Sequence, residues 1–378
     1  MGTAHDTALR LVEATVGDRK IRLGWSDGHR VDVEPLWLRD NCPCPECLHP
    51  STRERTFDIL SVPQDLLPER MSIESDGALR VEWGSVPHSS RYEAADLRGY
   101  GAPDLSGTAF PVIWDGRLAG SEPRFAYADL ESEAGARAWL SALRDYGFAL
   151  IEGAPPVEGE VLRLAARMGP PRPTNFGVVF DVVSKPDPNN NAYTAIKLNP
   201  HTDLPNWERQ PDFQFLFCIA NEAQGGASTL VDGFAVAERL RDEDPEAFDA
   251  LARTPLPFRF HDGEADIRFR APAIGLWPDG SLREIRCNLA ILARIDAPGE
   301  DMARLYRAHR RFVELTRLPD LQLNFRLQAG ELLAFDNLRL LHGREAFDPA
   351  SGFRHLQGVY VDREHLYSRL RVLRPAAE

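Results

Sequence analysis

The feature of this 378-residue chain that most restricts its fold is a histidine and an aspartate two residues apart, His201 and Asp203, in the segment LNPHTDLP. On a β-strand, residues i and i+2 point to the same face, so the imidazole and the carboxylate would converge on one point. Such a pair is common by chance and is a weak signal alone. A fold that uses it has to bring further ligands from distant parts of the chain.

A third ligand is available at His342, which closes an apolar, strand-like run in FDNLRLLHGRE. Two histidines and one carboxylate on one face of a metal form the facial triad of non-haem Fe(II) oxygenases, which leaves three coordination positions open. Arg354 lies shortly after, at the start of RHLQGVYVD, and its guanidinium can bind a carboxylic acid through two parallel hydrogen bonds. The combination predicts an iron site with an anion-binding arginine beside it.

The pattern along the chain indicates an α+β fold, mainly β, with an antiparallel sheet at its centre. Residues 8–100 contain short strand-like runs, including 29–38 (HRVDVEPLWL), separated by turn-forming pairs such as DG. Residues 101–129 are rich in Gly and Pro and are interpreted as a linker or boundary. Apolar residues at helical spacing predict helices over 132–147, 158–169, 233–254 and 301–318, between further strands.

Three of the five cysteines, Cys42, Cys44 and Cys47, lie within six residues in CPCPEC. A structural zinc site needs four ligands in a tetrahedron, and thiolates suit this ion. His49 and His88 are the candidates for the fourth ligand. His88 is favoured because a ligand from a separate strand would tie the subdomain together more effectively than one close in the sequence.

The net charge of −13 argues against nucleic acid or an anionic membrane surface as the main partner, because both select basic faces. No apolar run approaches the roughly 18–20 residues that span a bilayer, and the N-terminus lacks the pattern of a secretory signal. Without such a signal an odd number of cysteines is poor material for disulfides, and Cys218 and Cys287 are expected in the core. We therefore expect a cytoplasmic protein with a small-molecule substrate.

Four segments carry a family pattern: NNAYTAIKLNPHTDLP, GGASTLVDGF, FDNLRLLHGREAF and RHLQGVYVD. Together they resemble the gamma-butyrobetaine hydroxylase-like branch of the Fe(II)/2-oxoglutarate-dependent dioxygenases, in the taurine dioxygenase superfamily. The resemblance covers nearly the whole chain. It implies a double-stranded β-helix (jelly-roll) catalytic domain over 120–378, preceded by a small, β-rich, zinc-binding domain over 1–108.

The resemblance also implies the cofactors and their ligands. The implied Fe(II) ligands are His201, Asp203 and His342. 2-Oxoglutarate would bind the iron with its far carboxylate on Arg354, assisted by the hydroxyl of Ser228, while Arg344 either assists the co-substrate or pairs with an acidic neighbour. O2 is the second co-substrate and ascorbate the expected reductant. A structural Zn(II) on the three cysteines and His88, and a homodimer, are implied as well.

The positions that match the family's substrate pocket are Phe176, Phe180, Asn190, Tyr193 and Tyr360. Aromatic faces hold quaternary ammonium ions by cation–π attraction, and the asparagine matches the side that holds the substrate's acidic end. Two residues depart from the family pattern: Leu204 stands where relatives often carry Tyr, and Ala290 stands for an Asn, although Asn288 is close by.

These observations predict Fe(II)- and 2-oxoglutarate-dependent hydroxylation of a small betaine-like acid, with a quaternary ammonium or amine group, such as gamma-butyrobetaine. Succinate and CO2 would be released. The alternative is the same chemistry on a sulfonate, phosphonate or other anionic small molecule, which basic residues in the pocket would favour. A non-enzymatic metal-binding protein is the least expected outcome.

Overall fold

The computed structural model describes residues 9–17, 19–84, 87–100, 111–184, 190–296 and 299–373. The chain forms two compact units, Met1–Asp104 and Leu105–Glu378. Each unit has its own hydrophobic core. In the described part of the chain, no helix combines the length and the apolar composition that crossing a bilayer requires.

The described part of the first unit contains two three-stranded antiparallel sheets. Its strands and helices are β1 (Leu11–Val16), β2 (Ile21–Trp25), β3 (Arg30–Val33), β4 (Arg70–Ile73), β5 (Leu79–Trp83), β6 (His88–Tyr92), α1 (Pro35–Asp40) and α2 (Ala94–Arg98). The strands pair in the orders β1-β2-β3 and β4-β5-β6. Buried residues such as Val81 and Trp83 alternate along β5 with more exposed ones, as the period of a strand requires.

The predicted strand over 29–38 is only partly right. β3 ends at Val33, and the following residues form α1, whose first residue is Pro35. Proline suits the first turn of a helix, because its missing N–H would have no partner there and its φ is already helical. The chain leaves α1 directly into the cysteine segment that begins at Cys42.

The second unit is a jelly-roll built on two main β-sheets, with three two-stranded sheets besides them among the described residues. Its strands are β7 (Arg124–Ala126), β8 (Phe148–Glu152), β9 (Pro171–Arg172), β10 (Phe180–Val182), β11 (Leu198–His201), β12 (Phe213–Asn221), β13 (Gln224–Gly225), β14 (Ser228–Asp232), β15 (Leu256–His261), β16 (Asp266–Ala271), β17 (Ile274–Leu276), β18 (Leu282–Ile285), β19 (Gln322–Phe325), β20 (Leu332–Asp336), β21 (Leu340–Arg344), β22 (Phe347–Asp348) and β23 (Arg354–Val361). The larger sheet has the order β10-β23-β12-β20-β8-β7, with β9 beside β23, and the smaller has the order β11-β21-β14-β19. Neighbours in both sheets are antiparallel except β7 and β8. The predicted double-stranded β-helix is confirmed.

A hydrophobic cluster fills the space between the two sheets. It contains Leu340 from the smaller sheet, Leu356 from the larger sheet and, as predicted for this cysteine, Cys218. Side chains alternate along a strand, so every second residue from these two leucines shares the inner face. The polar residues placed there are His342, Arg344, Arg354 and Tyr360.

Helices cover the outer faces of both sheets. They are α3 (Glu133–Tyr146), α4 (Glu160–Ala166), α5 (Gly233–Glu243), α6 (Pro245–Arg253), α7 (Gly299–Thr316) and α8 (Arg363–Val372). α3, α4 and α8 pack on the larger sheet, and α5, α6 and α7 pack on the smaller one. The predicted helix over 233–254 is two helices, because Asp244 ends α5 and its carboxylate caps α6 at Ala247.

The predicted linker over 101–129 is partly wrong. Residues 101–110 lie outside the described residues, but the part from 111 onward belongs to the second unit. β7 pairs with β8, and Trp114 is buried, with its indole N–H donating to the carbonyl of Tyr146 at 2.8 Å. The Gly and Pro content of residues 111–129 reflects irregular backbone in a packed segment. Composition alone therefore led to the wrong prediction of a linker there.

Candidate functional site

The two predicted histidine ligands lie side by side on neighbouring strands of the smaller sheet. His201 is the last residue of β11, and His342 is the middle residue of β21, directly opposite it in the antiparallel register. Their ring centroids are 4.3 Å apart. Strand pairing therefore joins two histidines that are far apart in the sequence.

Asp203 completes the group from just beyond β11. Its Oδ1 atom lies 3.4 Å from Nε2 of His201 and 3.8 Å from Nε2 of His342. Two ligand atoms that each bind the same metal ion at about 2.1 Å lie no more than about 4.2 Å from each other. The distances from Oδ1 to the two Nε2 atoms are below this limit, so all three atoms can share one ion. Nδ1 of His201 donates to the carbonyl of Asn199 at 2.9 Å, which leaves the lone pair of Nε2 available to a metal.

Burial and mutual charge set the protonation of these three groups. Burial raises the pKa of Asp203, but the adjacent His342 and His201 outweigh it and hold this pKa well below its ordinary value. Burial, reinforced by the neighbouring His201, lowers the pKa of His342 to about 3. Burial also lowers the pKa of His201, although its hydrogen bond with Asp203 produces a net rise. An ionised carboxylate and a neutral His342 are the forms in which these groups bind a metal.

Two buried side chains hold Asp203 itself. The hydroxyl of Tyr360, on β23, donates to Oδ2 of Asp203 at 2.7 Å. The side chain of Asn337 bonds the backbone N–H and carbonyl of Asp203, at 2.7 and 3.0 Å. Asn337 was not predicted from the sequence, where it is recognisable only as a polar residue between two apolar strand-like runs.

Arg354 lies in a buried niche at the start of β23. Its guanidinium carbon is 5.4 Å from the ring centroid of Phe347, and a Cβ on Gly226 would lie 3.3 Å from its Nε atom. Burial lowers the pKa of Arg354 to about 10. Among the described residues it has no acidic ion-pair partner, and its buried Nε has no hydrogen-bond partner. A buried cation of this kind fits a ligand that brings its own carboxylate.

Ser228 and Arg344 lie opposite each other on β14 and β21. The guanidinium of Arg344 donates to the carbonyls of Thr194 and Ile196 at 2.7 and 2.9 Å. Burial, with the charge of Arg354 nearby, lowers the pKa of Arg344 to about 10. In the described structure Arg344 therefore holds the segment 192–196 and has no acidic partner.

A cavity of about 410 Å³ opens beside His201 and Asp203, which form part of its wall. The residues predicted to bind substrate all line it: Phe176, Phe180, Asn190, Tyr193 and Tyr360. The rings of Phe180 and Tyr360 pack with centroids 5.2 Å apart. Phe176 packs against Phe260 instead, at 5.4 Å, so the cavity has two separate aromatic pairs.

The loop after β18 contains Asn288 and Ala290, and both residues line the cavity. The amide of Asn288 donates to the carbonyl of Thr202 at 3.3 Å and accepts from the N–H of Ala290 at 3.0 Å. The side chain of Asn288 thus joins this loop to Thr202, the residue between His201 and Asp203. Leu204 lies in the cavity wall with a left-handed φ of 54°.

A second candidate metal centre lies in the first unit. Its members are Cys42, Cys44, Cys47 and His88. The three sulfur atoms lie 3.3, 3.7 and 3.6 Å from Nε2 of His88. Tetrahedral zinc, with bonds of about 2.3 Å to sulfur and about 2.0 Å to nitrogen, places these ligands about 3.5 Å apart. The exposed His49 accepts instead from the N–H groups of Ser51 and Thr52, so the geometry favours His88.

Comparisons with known proteins match both units. Residues 12–98 match the family described as gamma-butyrobetaine hydroxylase-like, N-terminal, and residues 115–360 match the taurine catabolism dioxygenase TauD, TfdA family. The second match spans more than half of the chain. The chain belongs to the TauD/TfdA family. It is therefore a dioxygenase, and the resemblance inferred from the sequence motifs is confirmed.

Similar proteins extend over almost the whole chain of this TauD/TfdA dioxygenase. The gamma-butyrobetaine dioxygenase of Pseudomonas sp. (strain AK-1) is 43% identical over 369 residues, 93% of each chain. The human gamma-butyrobetaine dioxygenase is 31% identical over 98% of each, and the trimethyllysine dioxygenase of Meyerozyma guilliermondii is 29% identical over 96% of each. A solved asparagine oxygenase in complex with Fe(II), 3-hydroxyasparagine and succinate aligns with a TM-score of 0.49 and 22% identity, over 61% of this chain and 80% of that one.

Proposed function

We propose that this dioxygenase uses Fe(II) and 2-oxoglutarate to hydroxylate a small betaine-like acid, such as gamma-butyrobetaine, and releases succinate and CO2. The observation that carries the proposal is the aromatic cavity that shares its wall with His201 and Asp203. Relatives named for gamma-butyrobetaine and trimethyllysine, both of which carry a quaternary ammonium group, support the same substrate class.

In this proposal His201, Asp203 and His342 bind the iron. When bound, Fe(II) and 2-oxoglutarate supply the activation of O2, and ascorbate is the expected reductant. The protein presents two imidazole nitrogens and one carboxylate oxygen toward one point. It also keeps that point between two packed sheets, where the surrounding side chains limit access of water.

Arg354 is proposed to bind the far carboxylate of 2-oxoglutarate. Its burial without an acidic partner among the described residues supports this role, because a bound carboxylate would supply the missing charge. The hydroxyl of Ser228 is proposed to assist. Arg344 would act indirectly, since its guanidinium already holds the carbonyls of Thr194 and Ile196.

The cavity favours a cationic substrate over an anionic one. Its basic residues include Lys197 and Arg259, but each is already paired with a carboxylate. Lys197 lies 2.6 Å from Glu345, and Arg259 donates to Asp266 at 2.8 and 3.1 Å. The rings of Phe176, Phe180 and Tyr360, in contrast, line the same cavity, and a quaternary ammonium group gains about 1–2 kcal/mol from a desolvated ring.

The first unit is proposed to be a zinc-binding domain over 1–108, with Zn(II) on the three cysteines and His88, and the dioxygenase domain to span 120–378. The ion would join the segment after α1 to strand β6, because the cysteines come from the former and the histidine from the latter. A homodimer and a cytoplasmic location remain predictions from the sequence.

The substrate class is tested by supplying the purified protein with Fe(II), 2-oxoglutarate, ascorbate and one candidate at a time, and measuring succinate. Gamma-butyrobetaine or trimethyllysine should raise succinate above the substrate-free rate, and taurine and alkyl phosphonates should not. His201→Ala should abolish this turnover, while His309→Ala, which removes a buried histidine of α7, should retain it. Stimulation by the anionic compounds alone would reject the betaine proposal.

A further inference from the structure

We propose that Asn337 is a positioning residue for the metal-binding carboxylate: its side chain fixes the backbone of Asp203 and ties it to the strand that carries His342. The proposal rests on the iron site of the proposed function. Asn337 does not line the cavity and is fully buried, in the turn between β20 and β21. It therefore acts on the site only through Asp203.

Every polar group of Asn337, in its side chain and its backbone, makes a hydrogen bond. Its Oδ1 accepts from the N–H of Asp203 at 2.7 Å, and its Nδ2 donates to the carbonyls of Asp203 at 3.0 Å and Pro211 at 2.9 Å. Its own N–H donates to the carbonyl of Asp212 at 2.7 Å, and its carbonyl accepts from Gln210 at 3.0 Å. A fully satisfied buried amide of this kind is rigid.

Asp203 needs such support because it lies outside the strand ladder. β11 ends at His201, whose partner is His342, so no neighbouring strand continues the pairing to Asp203. The next residue, Leu204, has a left-handed φ of 54°, a conformation that non-glycine residues adopt only when their surroundings impose it. The amide of Asn337 takes the place of a neighbouring strand for this one residue.

The two ends of Asp203 are thereby fixed independently. Asn337 sets the main chain, while the hydroxyl of Tyr360 holds Oδ2 at 2.7 Å. Oδ1 is then the oxygen that faces Nε2 of His201 and His342. Because Asn337 precedes His342 by five residues, it also links the position of the carboxylate to that of the second histidine. Residues outside a metal's direct ligands typically change its affinity 10- to 100-fold.

The test compares Asn337→Ala and Asn337→Asp with the wild-type protein by calorimetric titration with Mn(II), an oxygen- and nitrogen-binding probe of the iron site. Asn337→Asp keeps the shape and an acceptor for the N–H of Asp203 but lacks the donor for the two carbonyls. Both variants should bind Mn(II) about 10- to 100-fold more weakly. Tyr127→Phe is the matched control, since it removes a partly buried hydrogen bond to Glu160 elsewhere in the same unit and should leave Mn(II) affinity within about twofold.

The outcomes separate this inference from the proposed function. If wild-type protein shows no Mn(II) binding that His201→Ala abolishes, the iron site itself is wrong. If wild-type binds and the folded Asn337 variants bind equally well, only the positioning role is refuted. Recovery of both Asn337 variants in unfolded form would also overturn the proposal, because the residue would then act on the fold as a whole.

Discussion

The substitution Gly358→Ala should displace the ring of Phe180 in the cavity wall without changing Phe180 itself. Gly358 lies on β23, opposite Phe180 of β10 in the antiparallel register. A Cβ at position 358 would lie 2.2 Å from the nearest ring carbon of Phe180. Carbon atoms pack favourably at about 3.5–4.0 Å, so in Gly358→Ala the ring has to move by at least about 1.3 Å. Phe180 is half-buried on a short edge strand and can move outward, away from its partner Tyr360.

If Phe180 holds the substrate's cationic group, this displacement should weaken substrate binding selectively. Loss of a desolvated cation–π contact of about 1–2 kcal/mol corresponds to roughly a five- to thirtyfold rise in KM for gamma-butyrobetaine. The KM for 2-oxoglutarate and the affinity for Mn(II) should stay within about twofold of wild type, because Phe180 is neither a proposed metal ligand nor a proposed contact of 2-oxoglutarate. Steady-state succinate assays with each substrate varied in turn measure the two constants.

Two further variants make the result interpretable. Phe180→Leu removes the aromatic face directly and should give a rise in KM of similar size. Gly24→Ala places a methyl group in a strand of the first unit, where it meets the side chain of Glu13, and should change neither constant. An unchanged KM for gamma-butyrobetaine in both Gly358→Ala and Phe180→Leu would refute a role of Phe180 in recognising the cation.

Three other predictions address the metal cluster and the stability of each unit. Cys44→Ser should lose about one zinc per chain in metal analysis, and full retention of zinc would contradict the four-ligand site. Asp232→Ala removes the buried partner of Arg339, at 2.6 Å, and should lower the free energy of unfolding in urea by about 3–5 kcal/mol; a loss below about 1 kcal/mol would contradict the role of this ion pair. Hydrogen bonds from Arg91 and Arg80 lower the pKa of Glu74 from its ordinary 4.5, so the stability that Glu74 contributes is present above that pH and is lost as the pH falls through the lowered pKa. Glu74→Gln should therefore make the free energy of unfolding fall less steeply as the pH is lowered, as measured by tryptophan fluorescence. An unchanged dependence on pH would exclude this contribution.

The candidate metal ligands could be predicted because strand geometry is regular. The period of two predicts that His201 and Asp203 share one face, and an apolar run ending in a histidine marks His342 as a strand residue. β11 ends at His201, however, so Asp203 reaches the site from just beyond the strand. What the local pattern does not contain is the register between β11 and β21, which sets His201 directly opposite His342. That register depends on pairing between distant strands, which no local segment of the sequence specifies.

Other features could not be predicted because they depend on tertiary contacts. Asn337 resembles any polar turn residue until the fold brings it to Asp203, and the carbonyl groups that accept from Arg344 belong to the distant segment 192–196. The misassigned helix α1 is different, since Pro35 was visible in the sequence and a proline followed by Leu-Trp-Leu is compatible with a helix start. In the segment 29–38 the alternation of apolar residues favoured a strand, but the helix-starting preference of Pro35 was the better indicator.

In the proposed reaction, oxidation of 2-oxoglutarate at the site of His201, Asp203 and His342 is coupled to hydroxylation of a betaine-like acid. The most direct test is to incubate the enzyme with Fe(II), 2-oxoglutarate and gamma-butyrobetaine, and to quantify succinate and the substrate-derived product by mass spectrometry. Coupling predicts equal molar amounts of succinate and of a product one oxygen atom heavier than the substrate, with both lost in Asp203→Ala. Succinate without a hydroxylated product, or hydroxylation that continues without 2-oxoglutarate, would contradict it.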